Sequence, residues 1–130
     1  MIEHPNAKLI RRCYEAFASG DLESLKDLTT HDVVWHEPGR GPFAGDHKGP
    51  EGVLALLREL QERSGKSFSV ELVDLLANAE RAIAIQEETA RRGDRRLDMA
   101  SAIEFEIHQG KITEVTVYHG DTYHFDQFWS

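Results

Sequence analysis

Two predicted strand ends in this sequence carry ionisable side chains of the types that acid–base chemistry uses. His36 and Glu37 stand directly before a proline, and His119 and Asp121 end the alternating stretch 110–121. Carboxylates and imidazoles transfer protons well when burial moves their pKa towards neutrality. We predict that Glu37 or Asp121 removes a proton from an activated carbon of the substrate, or protonates its oxygen. His119 is predicted to have an orienting or stabilising role in this step. The predicted catalytic residues are Glu37, Asp121, His119 and His36.

Strand parity decides which of these groups share a face. Alternate side chains of a strand point the same way, so Val117, His119 and Asp121 are predicted on one face. By the same rule His36 and Glu37 face opposite ways, and only one looks into a cavity unless the proline turn twists the other inward. Glu37 and His36 therefore remain alternatives. For His119 and Asp121 the alternative is that both are simply solvated residues at the end of a strand.

Apolar side chains near the ionisable groups are the predicted walls of a pocket. A carboxyl group desolvated among Trp35, Phe43 and Met99 has its pKa raised, which suits proton transfer near neutral pH. Residues 39–49 hold four of the ten glycines, so this loop is either a mobile cover for the site or an ordinary connection. The predicted substrate-binding residues are Tyr14, Trp35, Phe43, His47, Met99 and Val117.

No metal and no cofactor are predicted. The seven histidines include no pair at i, i+4 spacing and no other recognised ligand spacing. The lone cysteine, Cys13, excludes an intramolecular disulfide and a Cys-based zinc centre, which agrees with a reducing compartment. A site of three histidines and a carboxylate remains an alternative on composition alone.

Length and charge limit the classes of partner. One hundred and thirty residues with 40% hydrophobic content suit one domain, residues 1–130. The 15 basic and 23 acidic residues give a net charge of −8, so nucleic acid and membrane are not predicted partners. The first six residues do not resemble an export signal, and no run of eighteen apolar residues occurs. A soluble, cytoplasmic protein is therefore expected.

Periodicity predicts helices first and strands afterwards. Apolar spacing of three and four indicates a helix over residues 6–19, a shorter one from Asp21 that ends at residues 29–32, and a third that begins at Pro50. A short strand over residues 33–37 lies between the second and third helices. After Gly65 four alternating strands follow one another with short turns. This order predicts an α+β domain whose curved sheet packs on the helices.

The sheet face turned away from the helices is predicted to form a homodimer. It mixes apolar side chains with Glu and Thr, a composition that suits an interface between subunits. The aromatic segment 123–129 is predicted to dock, either closing the open end of the domain or reaching a partner subunit. The apolar residues assigned to the outer face are Val73, Ile83, Ile85, Ala100 and Tyr118.

Several strings resemble the nuclear transport factor two-like superfamily, in its SnoaL-like or ketosteroid-isomerase-like branch. They are YEAFASGDL at 14–22, HDVVWHEPG at 31–39, PFAG at 42–45 with Lys48-Gly49, and GKI at 110–112 with the closing strand. The resemblance covers nearly the whole chain. It implies a cystatin-like cone: a curved, mostly antiparallel sheet wrapped around three N-terminal helices, with an apolar pocket at one end and frequent dimers. The fold hosts isomerases, cyclases, dehydratases, epoxide hydrolases and binding domains, so function must be argued from the site.

The resemblance carries over to single residues only in part. The carboxylate base that steroid isomerases place before a proline matches Glu37. Their hydrogen-bonding tyrosine matches Cys13, one position from Tyr14, and their proton-donating acid matches Ile103, so ketosteroid isomerisation is not predicted. SnoaL-like cyclases place an acidic residue near the end of a late strand, where Asp121 lies.

The predicted function is acid–base catalysis, of isomerase, cyclase, dehydratase or hydrolase type, on a small hydrophobic molecule in an apolar cone-shaped pocket. The alternative is a non-catalytic module of the same fold that binds a ligand or dimerises. Polar groups from different strands that face one point of a deep pocket favour the enzyme, whereas an interior filled by its own side chains favours the module.

Overall fold

The computed structural model describes residues 3–130. Met1 and Ile2 lie outside the described residues. They belong to the first six residues, from which no export signal is expected. The helices are α1 (Pro5–Ser19), α2 (Gly49–Arg63) and α3 (Thr122–Trp129), with a 3₁₀ helix at Leu22–Leu28. The strands are β1 (Thr29–Glu37), β2 (Gly45–Lys48), β3 (Ser69–Ala77), β4 (Arg81–Arg92), β5 (Arg95–His108) and β6 (Lys111–His119). None of these helices has the length and apolar character that crossing a membrane requires.

Local capping sets the limits of α1. Proline stands at the start of the helix, where its missing N–H costs nothing, and Nδ1 of His4 accepts from the backbone N of Asn6 at 3.0 Å. Asn6, the first residue of the predicted helix, is therefore inside the observed one, and its side chain donates to the carbonyl of Asn78 at 2.9 Å. Gly20 ends the helix in the left-handed conformation with φ 78°, so the helix ends at Ser19, the predicted last residue.

β1 begins earlier than the sequence predicts. Residues 29–32 do not end a helix, because Thr29 already pairs with Ile112 of β6. A register shift follows before the pairing resumes at Val34. β-Branched threonines favour extended backbone, which explains why the helix before them is one short 3₁₀ run.

The glycine-rich loop contains the edge strand β2, which periodicity does not predict. β2 pairs antiparallel with β1, with His47 opposite Trp35. Its residues are glycine, aspartate, histidine and lysine, so no apolar alternation marks the strand. Before β2, the carboxylate of Asp126 in α3 accepts from the backbone N of Arg40 at 2.9 Å and of Gly41 at 3.2 Å. These bonds favour the interpretation of residues 39–49 as an ordered connection.

The strands described within residues 3–130 form one open sheet in the order β2-β1-β6-β5-β4-β3. Neighbouring strands pair antiparallel except β1 and β6, which run parallel. The inner face of the sheet and the helices enclose the core, where Ile10, Leu54 and Leu97 are among the most deeply buried side chains. The predicted α+β cone, a curved and mostly antiparallel sheet around N-terminal helices, is confirmed.

The aromatic C-terminal segment docks within its own domain as α3. Phe125, Phe128 and Trp129 are buried. The rings of Phe43 and Trp129 meet edge to face with centroids 5.1 Å apart, which ties α3 to the connection before β2. The tail thus belongs to the core that surrounds the cavity.

The outer face of the sheet exposes large apolar side chains. Val73, Leu76, Ile83 and Tyr118 are all exposed there. The hydroxyl of Tyr118 donates to Oε1 of Glu104 at 3.1 Å, so charged groups lie between the apolar ones. The composition is the mixture that the sequence predicts for this face, and dimerisation through it stays a prediction.

Candidate active site

An apolar cavity of about 110 Å³ lies between the inner face of the sheet and the helices. Aromatic and aliphatic side chains form most of its wall. The polar groups are concentrated on β1, β4 and β6, with two more on α1. Its ionisable and amide side chains are Cys13, Tyr14, Glu37, Gln86, Glu88 and His119.

Glu37 and His119 form a buried hydrogen-bonded pair at the cavity wall. Oε2 of Glu37 lies 2.7 Å from Nε2 of His119, and the side chains of His119 and Glu37 are only 2% and 5% exposed. The indole Nε1 of Trp35 donates to the other carboxylate oxygen, Oε1, at 2.9 Å. Because each carboxylate oxygen has a second lone pair, Glu37 can still accept a hydrogen bond or a proton from a ligand.

The parallel pairing of β1 with β6 brings this pair together from positions 82 residues apart. Trp35 lies opposite Val115 in the register. Alternate residues of a strand face the same way, so the inward face continues from Trp35 to Glu37 on β1, and from Val115 through Val117 to His119 on β6. Both Glu37 and His119 therefore lie at the cavity. The face that strand parity predicts for His119 is therefore the observed one, and of the two alternatives on β1 it is Glu37 that faces the cavity.

A second carboxyl group approaches the other nitrogen of His119. Ser101 Oγ lies 3.3 Å from Nδ1 of His119 and is also hydrogen-bonded to Oε2 of Glu88. Oε2 of Glu88 is itself 4.0 Å from Nδ1. The imidazole thus stands between two carboxyl groups, bonded directly to Glu37 and linked to Glu88 through one hydroxyl.

Burial governs the protonation of several groups on this wall. Desolvation raises the pKa of Glu88 above its ordinary value, although the hydrogen bond from Ser101 and the charge of His119 act in the opposite direction. Desolvation likewise raises the pKa of Tyr14, whose hydroxyl donates to Oε1 of Gln86. Burial raises the pKa of the Cys13 thiol to about 12. Each of these shifts favours the neutral form of the group.

The charge on the cavity wall is acidic. No lysine or arginine of the described chain lines the cavity, so His119 is the one side chain there that can carry a positive charge. In residues 3–130 no group of three or more His, Cys, Asp or Glu side chains is placed to hold a metal ion. An anionic ligand would find no fixed counter-charge beside Glu37, and the cavity therefore suits a neutral molecule.

Comparison with known proteins identifies the family. The sequence matches the SnoaL-like domain over residues 10–115. The chain belongs to the SnoaL-like family. This SnoaL-like chain is 30% identical over 131 residues to an uncharacterized protein of Mycobacterium tuberculosis, and the match covers 100% of both chains.

Solved structures share the fold of this SnoaL-like protein. Bal32a, from a soil-derived mobile gene cassette, is 38% identical with a TM-score of 0.93 over 97% of each chain. A protein of unknown function with a cystatin-like fold from Xanthomonas campestris is 27% identical, with a TM-score of 0.87 over 95% of this chain and 96% of the other. The predicted superfamily is confirmed by these matches.

His36 of the SnoaL-like protein lies on the outer face of the sheet, not in the cavity. Its Nδ1 is 2.7 Å from Oδ1 of Asp46, and its Nε2 is 2.5 Å from Oε2 of Glu114. The hydrogen bonds with Asp46 and then Glu114 raise the pKa of His36. Of the two alternatives on this strand, Glu37 is the inward residue, and the placement of His36 in the pocket is corrected.

Asp121 does not reach the cavity either. It is the N-cap of α3, where its Oδ1 accepts from the backbone N of His124 at 2.9 Å. Parity would place it beside His119, but β6 ends at His119 and the backbone N of Gly120 donates to the carbonyl of Ala100 at 2.8 Å. The chain then turns into the helix. The expected convergence of Glu37 and Asp121 is therefore corrected, and the second carboxyl group near His119 is Glu88.

The predicted substrate-binding residues divide into two groups. Tyr14, Trp35 and Val117 line the cavity. Phe43, His47 and Met99 do not line it. Nε2 of His47 lies 2.7 Å from the carbonyl oxygen of Phe43, whose ring packs on Trp129, while Met99 is a core side chain. The connection before β2 therefore supports α3 and does not form the cavity wall.

Gln86, Glu88 and Ser101 are site residues that the sequence interpretation does not include. Their signal is strand parity. Gln86 and Glu88 take inward positions on β4, on the same face as its buried alanines, and Ser101 takes an inward position among the apolar residues of β5. A polar side chain at an apolar position of a strand must find a partner or a function, so such positions are candidates for a site.

Proposed function

We propose that this SnoaL-like protein is an acid–base enzyme, of isomerase, cyclase, dehydratase or hydrolase type, that acts on a small, neutral, hydrophobic molecule. The observation that supports it is the buried contact between Glu37 and His119, which come from different strands and meet at the wall of an apolar cavity. Burying two ionisable groups is unfavourable compared with packing apolar ones. A cavity wall that served packing alone would not need them.

Glu37 is the group proposed to exchange a proton with the substrate. Trp35 and His119 each bind one of its carboxyl oxygens, which orients the group and leaves lone pairs free toward the cavity. As a carboxylate it removes a proton from an activated carbon, and as a carboxylic acid it protonates an oxygen. His119 orients Glu37 and, when protonated, balances its negative charge.

The rest of the wall supports a hydrophobic substrate. Phe17, Phe68 and Phe105 line the cavity together with aliphatic side chains from the helices and the sheet. Transfer of apolar surface out of water is favourable by about 25 cal/mol per Å². Water excluded by such a wall also strengthens the electrostatic interactions of the buried pair with a reacting group.

The alternative function is a non-catalytic module that binds a hydrophobic ligand. The apolar wall supports ligand binding under either proposal. The two differ in whether Glu37 must be an ionisable carboxyl group, because a binding module needs only its shape and hydrogen bonds.

A screen of neutral hydrophobic ketones, lactones and epoxides tests the proposal. A compound that binds only the folded state raises the melting temperature. Compounds that do so are incubated with the wild type, with Glu37→Gln and with the outer-face control His36→Gln, and product is followed by NMR. The enzyme proposal expects turnover by the wild type and by His36→Gln, and a kcat about 10²- to 10⁴-fold lower in Glu37→Gln.

The other outcomes contradict it. Binding without turnover in the wild type supports the binding module instead. Turnover that is unchanged in Glu37→Gln removes Glu37 from the mechanism and overturns the proposed chemistry. A screen in which no compound binds contradicts both functions for these substrate classes.

A further inference from the structure

We propose that Glu88, Ser101 and His119 form a proton relay to Glu37, in which Glu88 holds the proton at rest and the Ser101 hydroxyl is the link. Its catalytic meaning rests on the function proposed above. The resting arrangement of the protons, however, is a property of the ligand-free protein. Glu88 acts through His119 and is therefore a positioning residue in this scheme.

The chain of contacts is continuous across the neighbouring strands β1, β6, β5 and β4. Glu37 Oε2 is 2.7 Å from His119 Nε2, and His119 Nδ1 is 3.3 Å from Ser101 Oγ, which is hydrogen-bonded to Glu88. In the register of the sheet, Ser101 lies opposite His119 on one side and opposite Gln86 on the other. Strand pairing therefore holds the relay in place without help from a loop.

The number of hydrogens on the four relay residues limits the hydrogen-bonding arrangements that the relay can adopt. The Ser101 hydroxyl has one hydrogen, so it donates either to Glu88 or to His119. When it donates to Glu88, its oxygen accepts from Nδ1–H of His119, and Nε2 of the ring either donates to ionised Glu37 or accepts from protonated Glu37. When it donates to His119, its oxygen accepts from protonated Glu88, and Nε2–H donates to ionised Glu37.

The relay step conserves protons and charge. Starting from protonated Glu88, the carboxylic acid gives its proton to Ser101 Oγ, Ser101 gives its own hydrogen to Nδ1, and Nε2 gives its hydrogen to Glu37. The chain carries one negative charge before and after the step, on Glu37 at first and on Glu88 at the end. A proton that Glu37 delivers to a substrate is thus supplied by Glu88. When Glu37 next takes up a proton, the same steps in reverse return a proton to Glu88.

The surroundings of Glu88 make it the resting place of the proton. The residue is 3% exposed, and desolvation disfavours its ionised form and raises its pKa. The ionisable groups that face it are His119 on β6, Glu37 on β1 and Tyr14 on α1. Of these, ionised Glu37 disfavours a second negative charge at Glu88, whereas a protonated His119 would favour it. The neutral phenol of Tyr14 adds no charge.

An NMR titration of the ligand-free protein tests the relay. The ring nitrogens of His119 and the carboxyl carbons of Glu37 and Glu88 are followed with pH. At neutral pH we expect Glu88 to give the signal of a neutral acid, and His119 that of a neutral imidazole with its hydrogen on Nε2. Since the Ser101 hydroxyl links the two groups, the ring signals of His119 should respond to the ionisation of Glu88. A doubly protonated His119 beside ionised Glu88, or ring signals that do not respond to the ionisation of Glu88, would overturn the relay.

Ser101→Ala supplies the decisive variant because it removes the link and keeps the contact of His119 with Glu37. In this variant we expect the His119 ring signals to respond more weakly to the ionisation of Glu88 than in wild type, because only the direct 4.0 Å approach of Glu88 to Nδ1 remains. Thr29→Val is the matched control, since Thr29 also lines the cavity but donates to the carbonyl of Leu25 at 3.3 Å, away from the relay. It should keep the wild-type response. A response in Ser101→Ala as large as in wild type contradicts the relay.

Failure of the relay and failure of the proposed function are separable. The NMR result requires no substrate, so a relay observed in a protein that turns over none of the screened compounds counts against the enzyme proposal alone. Turnover by a protein whose Glu88 stays ionised counts against the relay alone. For a compound that is turned over, Ser101→Ala and Glu88→Gln should each lower kcat. The double variant should lose no more than the worse single one, because both break one chain.

Discussion

Phe125 lies flat against the imidazole of His119, with ring centroids 3.9 Å apart and ring planes inclined by 21°. The contact joins α3 to the end of β6, and Phe125 is itself part of the cavity wall. The aromatic ring limits the rotation of the imidazole on the side not held by Glu37 or Ser101. The C-terminal helix therefore helps to set the geometry of the candidate active site as well as closing the core.

Phe125→Ala should destabilise the protein and loosen His119. The side chain is 4% exposed, and truncation of a buried Phe costs about 3–5 kcal/mol. We expect a value near the lower end, because Phe125 already borders a cavity. Denaturant unfolding measures the loss. Tyr123→Ala on the same helix is the control, since that residue is 74% exposed and should change stability by less than about 0.5 kcal/mol. Equal losses in the two variants would contradict the packing role of Phe125.

Asp121 should matter for stability and not for proton transfer. Replacement of an N-cap by Ala costs about 1 kcal/mol, whereas Asp121→Asn keeps an oxygen that accepts from His124. We expect Asp121→Ala to lower the free energy of unfolding by that amount, and Asp121→Asn to change it little. On any compound that the wild type turns over, both variants should retain kcat. A large loss of kcat in Asp121→Asn would return this carboxylate to the mechanism.

Glu88→Gln should change how stability depends on pH. Burial raises the pKa of Glu88 in the folded protein above its ordinary value of 4.5, so the folded state binds the proton more tightly than the unfolded one. The resulting stabilisation is fully present below the unfolded pKa and is lost as pH rises through the folded pKa. A difference of one pH unit between the two pKa values corresponds to about 1.4 kcal/mol.

The comparison with wild type isolates this effect. Over the same pH range Glu88→Gln, which is always neutral, should not lose that stabilisation, so its stability relative to wild type should rise with pH. Denaturant unfolding at several pH values measures both proteins. The exposed neighbour Glu87→Gln is the control and should follow the wild-type curve. A constant difference between wild type and Glu88→Gln would show that Glu88 has no raised pKa in the folded state.

Gly120→Ala should displace His119. A Cβ at this position would lie 2.4 Å from the carbonyl oxygen of Ala100, which is backbone and cannot rotate away. Overpacking of this kind costs about 1–3 kcal/mol. Gly110→Ala, before the other end of β6, is a useful control, because its φ of 75° strains an alanine but no atom lies within 4 Å. Both variants should lower the melting temperature, and only Gly120→Ala should shift the ring signals of His119 in NMR spectra.

Much of the fold could be predicted because long amphipathic elements carry their own signal. The apolar stripes of α1 and α2 and the alternation in β3 to β6 each repeat over enough residues to be unambiguous. β2 is too short and too polar to show alternation, and the early start of β1 depends on its pairing with β6, which no local pattern reveals. The second helix begins directly after Asp21, as the sequence predicts, but it ends at Leu28, before the predicted end, and periodicity does not predict its 3₁₀ geometry.

The candidate site could be predicted only where parity continued along a regular strand. His119 follows the apolar face of β6 to its last residue, so counting by two places it correctly, whereas on β1 the same count leaves Glu37 and His36 as alternatives. The same count fails for Asp121 because Gly120 turns the chain out of the sheet. Glu88 shares its face with alanines, and the assignment of Ile83 and Ile85 to the outer face already implies that it points inward, a consequence that the sequence interpretation does not include.

The parallel alignment of β1 with β6 also bears on how the polypeptide acquires its structure during translation. Loop-closure entropy opposes contacts between distant segments, and chains dominated by such contacts fold slowly. Until the last strand has been synthesised, Trp35 and Glu37 belong to an unmatched strand edge, which is a template for aggregation. In the nascent chain this edge of β1 can pair only after residues 111–119 have emerged from the ribosome.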